Sequence, residues 1–189
     1  MRKLYLASAS PRRRLLLQLI TRDFTSISTD IEEKEYPHLS PRQKAVRRAK
    51  DKALRAVNSV KERDAVILSS DTVVELDGKV LDKPATKREA AVMMASLSGK
   101  SNIVHTAVVL CVDGIMHSLC RHTAVKFKTL PVDFINRYIN SDEPYDKAGG
   151  YGIQGSAGRY IATISGDYYN VVGFPVRKVK KLLVNMKIV

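Results

Sequence analysis

The chain has 189 residues, 44% of them hydrophobic, and carries a formal net charge of +13 from 32 lysines and arginines against 19 acidic residues. Its apolar runs are too short to cross a bilayer, and Met1-Arg2-Lys3-Leu4-Tyr5 opens without the apolar core of a signal peptide. The expectation is a soluble, cytoplasmic protein folded as one domain over residues 1–189, meeting an anionic substrate or partner.

Residues 4–7 read as a short strand. Ser10 then suits an N-cap with Pro11 at the first helical position, opening a helix that carries Leu15, Leu16 and Leu19 to about residue 20. Residues 24–28 alternate as a second strand. Ser40-Pro41 repeats the Ser-Pro start and opens a long basic helix to about residue 60, with an apolar stripe of Val46, Ala49, Ala53 and Val57. The apolar strand 65–68 gives out at Ser69-Ser70-Asp71 into what reads as a polar turn. Residues 73–76 and 79–81 then form a hairpin about Asp77-Gly78.

Thr86 and Glu89 make a capping box for a helix through Leu97, closed by Gly99. Two long strands, 102–112 and 115–127, join at Asp113-Gly114. A helix over 131–140 leads into a glycine-rich segment. Strand patterns run through residue 164 and around Val171, and a basic helix starts at Pro175. Interleaved helices, hairpins and single strands predict an α/β fold with a mixed twisted sheet.

Cys111 and Cys120 flank the Asp113-Gly114 turn, with His117 and His122 nearby. Their spacing fits no familiar zinc module, so small buried thiols in a reducing compartment are the better expectation. Nucleic acid is the first partner to consider for so basic a chain. Yet the cations spread over 42–63 and 177–187 without interleaved aromatics, which suits a solvated surface better than base stacking.

Several groups can do chemistry. Asp71 suits a catalytic carboxylate at a strand's carboxyl end as well as an ordinary turn aspartate. Ser8-Ala9-Ser10-Pro11-Arg12-Arg13 follows a strand and opens a helix, an arrangement for phosphate whose plain alternative is a capped helix with solvated arginines. Lys52 falls on the border of its helix's apolar stripe, while Lys44, Arg48 and Arg55 lie nearer the opposite face. Glu32 and Glu33, with Asp71, offer oxygen ligands for Mg²⁺, or form a solvent-exposed acidic turn. Lys83 is directed by the following Pro84.

Residues 150–155 satisfy G-x-G-x-x-G, but lack the strand before and the helix after that a dinucleotide site needs. NAD and FAD are therefore excluded. The glycines instead suit a flat ligand lying close to the backbone, with Gln154 offering one donor and one acceptor.

Together these segments resemble the Maf family of nucleoside triphosphate pyrophosphatases, in its dTTP/UTP branch. The likeness runs from Leu6-Ala7-Ser8-Ala9-Ser10-Pro11-Arg12-Arg13 through Lys52-Ala53, Asp71-Thr72-Val73-Val74 and Asp82-Lys83-Pro84. It continues in Asp142-Glu143-Pro144, Asp146-Lys147-Ala148-Gly149 and Tyr151-Gly152-Ile153-Gln154-Gly155.

The resemblance implies a mixed-sheet fold with two lobes around a cleft, similar to the inosine triphosphate pyrophosphatases. It implies hydrolysis of dTTP and UTP to the monophosphate and pyrophosphate with a divalent cation, Mg²⁺ or Mn²⁺. Asp71 becomes the proton acceptor, and Arg12, Thr72 and Gln154 match positions important for substrate choice. Ser8, Arg13, Lys52 and Lys83 would bind the phosphates, and Glu33 with Asp71 the metal. Family members often pair as homodimers.

Ser69-Ser70 stands where that family usually has Gly-Ala, Arg48 where it has leucine, and Gly150 where it has alanine; the charged set is intact. The rival expectations are a non-enzymatic regulator of septum formation, or the same chemistry on modified pyrimidine triphosphates or 7-methyl-GTP.

Overall fold

The computed structural model describes residues 2–29, 35–62 and 64–189. Among them, β1 (Lys3–Ala7), β2 (Thr25–Ile27), β3 (Ala65–Leu76), β4 (Lys79–Leu81), β5 (Ser101–Val112), β6 (Ile115–Phe127) and β7 (Ile161–Ser165) form one sheet. Its order is β2-β1-β3-β5-β6-β7, with β4 paired to β3. β1 runs parallel to β2 and β3, and every other pairing is antiparallel. The mixed α/β class holds.

Side chains alternate across the sheet and sort the helices into layers. Tyr5, Ala7, Ile67, Val73 and Val109 meet α2 (Pro41–Ser59) on one face, through Ala45, Ala49, Ala53 and Ala56. Leu4, Leu6, Val66, Leu68 and Leu110 meet α1 (Pro11–Gln18) and α6 (Val176–Asn185) on the other. A further core under α3 (Lys87–Leu97) and α4 (Val132–Tyr138) holds Met94, Leu97, Phe127 and Phe134. The alanine face of α2 lets that helix settle close to the sheet.

Four expectations are corrected. In α1, Leu16 and Leu17 are buried while Leu15 and Leu19 are 60% and 61% exposed, because the core lies one residue round from the assumed stripe. In α2 the buried face is the alanine row plus Arg48, and Val57 is exposed. Val171 belongs to a short helix, α5 (Tyr168–Val172), capped by Asp167, which accepts from the Tyr169 amide.

The largest correction concerns Asp71. No turn interrupts residues 65–76: β3 is one continuous strand of 12 residues with Asp71 inside it. The opening comes from its neighbours. β1 ends at Ala7, opposite Ser69, and β4 begins its pairing at Val74. Between them, Ser70 to Val73 keep β5 on one edge and have no strand on the other among the described residues. The sheet thus has a notch, and both faces of β3 reach it.

Cys111 and Cys120 are unbridged; Cys111 is buried and Cys120 half-buried. They lie opposite Met116 and Ala107 in the β5–β6 register. Among the described residues no group of three or more His, Cys, Asp or Glu is arranged to hold a metal, and no helix is long and apolar enough to cross a membrane.

Candidate active site

A cavity of about 630 Å³ fills the notch, bounded by the chain just beyond β1, by α2, by Asp71 and Thr72 of β3, by Asp82 and Lys83 beyond β4, and by residues 143–155. Ser8, Arg12, Arg13, Lys52, Asp71, Thr72, Lys83 and Gln154 all line it. Glu32 and Glu33 lie outside the described residues, although Thr29, just before them, is in the lining.

Asp71 is 3% exposed and accepts a hydrogen bond at Oδ1 from the Lys52 ammonium. The two preceding serines pin this stretch of β3 to both layers. The Ser69 hydroxyl donates to the Ala49 carbonyl of α2 at 2.7 Å, and Ser70 donates towards the Ala107 and Gly173 carbonyls at 2.9 and 3.1 Å. Buried hydroxyls of this kind are tolerated because each finds a carbonyl.

On the opposite face, Arg13 is held in place. Its Nε donates to the Gly173 carbonyl at 3.0 Å and its Nη2 to the Thr72 hydroxyl at 3.1 Å. Ser10 precedes α1 as expected, but its hydroxyl makes no cap. Instead the Ser10 amide donates to Ser8 Oγ at 3.2 Å, which also takes Arg13 Nη1 at 3.4 Å.

Arg12 reaches across the cleft, with Nη1 and Nη2 each 3.3 Å from Asp146 Oδ2. Partial burial pushes the Asp146 carboxyl up, but the hydrogen bonds and charges of Lys147 and Arg12 outweigh it and leave the group below its ordinary value.

The glycine-rich segment carries Gln154 to the exposed mouth of the cavity. Two short 3₁₀ turns, Ala148–Gly150 and Ser156–Tyr160, flank it, and β7 follows, so no dinucleotide-binding unit exists here. Glu143 holds the segment by accepting from the Ser156 amide at 3.0 Å and the Ser156 hydroxyl at 2.8 Å. Gly149 has φ +74°, and a Cβ there would meet Val74 at 2.9 Å, which requires glycine. Beneath it, Tyr151 donates to Asn102 Oδ1 at 2.7 Å.

Arg48, Asp82, Glu143, Asp146 and Lys147 also line the cavity, beyond the site residues expected from the sequence. Arg48 was placed on the wrong side of α2, yet it stands four residues before Lys52, and such pairs share a helix face. The alanine row would have revealed it. The described lining carries six lysines and arginines against four carboxylates. With one amide reader at the mouth, it suits a polyanion bearing a flat polar group.

The profile described as "Maf-like protein" matches residues 3–186. Over 183 residues the chain is 42% identical to the dTTP/UTP pyrophosphatase of Photorhabdus laumondii, covering 97% of this chain and 93% of that one. It is 44% identical over 185 residues to the dTTP/UTP pyrophosphatase of Escherichia coli, covering 98% and 93%. Among solved structures, a HAM1 protein from Coxiella burnetii shares the fold, with a TM-score of 0.54 at 16% identity over 98% of this chain and all of that one. A profile match over nearly the full length, joined to identities of this size, makes the chain a member of the Maf family.

Proposed function

We propose that the protein hydrolyses dTTP and UTP to the nucleoside monophosphate and pyrophosphate. The observation that carries this reading is the convergence of Asp71, Lys52, Arg12, Arg13, Lys83 and Gln154 on one cavity. Relatives named for that reaction are more than 40% identical.

In this reading Asp71 takes a proton from a water that attacks the α-phosphorus. The new P–O bond forms as the α–β phosphoanhydride bond breaks, and pyrophosphate leaves. Lys52 fixes the carboxylate's orientation. Arg13, held by Gly173 and Thr72, is a preorganised cation for the phosphates, while Ser8, Arg12 and Lys83 complete the grip. Gln154 reads the base edge.

The donor set bears on the cation. Asp71, bonded to Lys52, brings a hard carboxylate oxygen to the cavity. That suits a hard ion, Mg²⁺ or Mn²⁺, which takes most ligands from phosphate and water, with Asp71 and Glu33 as protein ligands. When bound, it would neutralise phosphate charge.

The test is a panel of dTTP, UTP, CTP, ATP and GTP with Mg²⁺ and product identification. Pyrophosphate from dTTP and UTP is expected. Orthophosphate as the primary product, or undiminished turnover by Asp71→Asn, would reject the reading.

A further inference from the structure

Among the described residues, Arg48 is the one lysine or arginine that is fully enclosed, at 5% exposure. It sits on the cavity side of α2, one turn before Lys52. Enclosing a guanidinium costs far more than enclosing a hydrocarbon side chain unless its donors are met, so the position is explained by what Arg48 bonds.

Its contacts say what. Arg48 Nη1 donates to Asp82 Oδ1 at 2.7 Å, and Nη2 lies 3.8 Å from Glu35 Oε1. The Asp82 carbonyl in turn accepts from the Gly149 amide at 3.2 Å. Asp82 is followed by Lys83, which lines the cavity, and by buried Pro84, whose ring restricts the backbone at Lys83. A Cβ on Gly150 would lie 3.5 Å from that ring, so the glycine-rich segment packs on the same turn. The guanidinium thereby ties α2 to the turn bearing Lys83, and the segment bearing Gln154 rests on that same turn.

We infer that Arg48 is a positioning residue for substrate binding: by clamping Asp82 it sets the Lys83 ammonium onto the substrate's phosphates. This rests on the triphosphate reading of the cavity. A single guanidinium N–H on Asp82 Oδ1, carried by a side chain that is itself enclosed, holds that carboxylate in one place more firmly than a flexible ammonium would. The flexible Lys83 side chain gains most from such a fixed root.

The experiment measures kcat and KM for UTP with Arg48→Met, Arg48→Lys, Asp82→Asn, Lys83→Ala and the Arg48→Met/Lys83→Ala pair, alongside thermal unfolding. Arg48→Met and Asp82→Asn are each expected to raise KM about tenfold, the scale of one lost charge-assisted contact, with kcat changed less. Arg48→Lys is expected to recover only part of the loss. In the Lys83→Ala background Arg48→Met is expected to add less than about twofold, because the two act as a unit.

Full multiplication of the two effects, or an unchanged KM in Arg48→Met and Asp82→Asn, overturns the inference. Should Arg48→Met unfold, Asp82→Asn, which keeps an oxygen for the guanidinium, decides by the same KM criterion. A wild-type chain that releases no pyrophosphate from any nucleotide overturns the parent reading, and this inference with it.

Discussion

Thr72 and Thr106 are register partners on β3 and β5, and their hydroxyl oxygens lie 3.0 Å apart. Thr106 donates its one proton to the Asn170 carbonyl at 2.8 Å, so the shared bond runs from Thr72 to Thr106. Thr72 also accepts from Arg13. Its proton is therefore committed, and towards a ligand its oxygen is only an acceptor. If Thr72 meets a pyrimidine edge, it can accept from N3–H and cannot donate to O4.

Substitution at Thr72 follows directly. Thr72→Ser keeps the acceptor and is expected to retain kcat/KM for UTP within about threefold. Thr72→Val removes it, strands an Arg13 N–H and should lower kcat/KM by roughly 10- to 100-fold, from one or two lost hydrogen bonds at about 1–1.5 kcal/mol each. Steady-state kinetics on both variants checks this. A valine variant matching the serine variant would sink the acceptor role.

The Lys52–Asp71 pair separates chemistry from stability. Asp71→Asn keeps the shape and an oxygen for Lys52 but cannot take a proton, so turnover should fall by about 10²–10⁴-fold. Lys52→Met leaves a carboxylate enclosed without its main cation. It should cost on the order of 3–5 kcal/mol of folding stability, the range for breaking a buried pair, read by urea denaturation.

Much of this was legible in the sequence, and the misses share a cause. Turn and cap signals are local, so Asp77-Gly78, Asp113-Gly114, Ser40-Pro41 and Thr86 located their elements well. The setting of Asp71 was not local. Ser69-Ser70-Asp71 looked like a turn because polar residues interrupt an apolar run, whereas the hydroxyls serve partners at Ala49, Ala107 and Gly173. Nothing in β3 itself says that β1 stops opposite Ser69. Arg48 was misplaced for the same reason: a helix face is set by what packs on it, and alanines weigh little in a hydrophobic pattern beside valines.

Asp146, held in its ionised form by Lys147 first and by Arg12 second, predicts an acid limb of stability. Asp146 titrates below its ordinary value in the folded chain, so the folded state favours the ionised form. Its contribution is fully present above the unfolded carboxylate value, near pH 4, and is lost as pH falls through the lower folded value. Asp146→Asn should flatten the dependence of melting temperature on pH below about pH 4, relative to the parent, and change little near pH 7. Asp146 and Arg12 are both partly exposed, so added salt should shrink the difference. Parallel melting curves for parent and variant across pH 2.5–5 would show that Asp146 carries no such linkage.

Glu143 and Gly155 set where Gln154 can stand. A Cβ on Gly155 would lie 2.1 Å from Glu143 Oε2, so Gly155→Ala forces apart the carboxylate and the Ser156 groups it holds. Gln154 itself is exposed at the mouth, and its loss disturbs no core. Gln154→Ala should therefore leave the melting temperature within about 1 °C, while lowering kcat/KM for dTTP and UTP by roughly 10-fold, one unpaired base edge at about 1–1.5 kcal/mol. Gly155→Ala should reproduce that kinetic loss with the amide still present, because the segment is displaced. The readout that distinguishes base reading from simple loss of fit is the ratio of UTP to CTP turnover, since the two bases differ at N3 and the 4-position. Both variants should compress that ratio. If Gln154→Ala lowers both nucleotides equally, Gln154 contacts something the two share, and base choice belongs to the backbone of residues 152–155 and to Thr72.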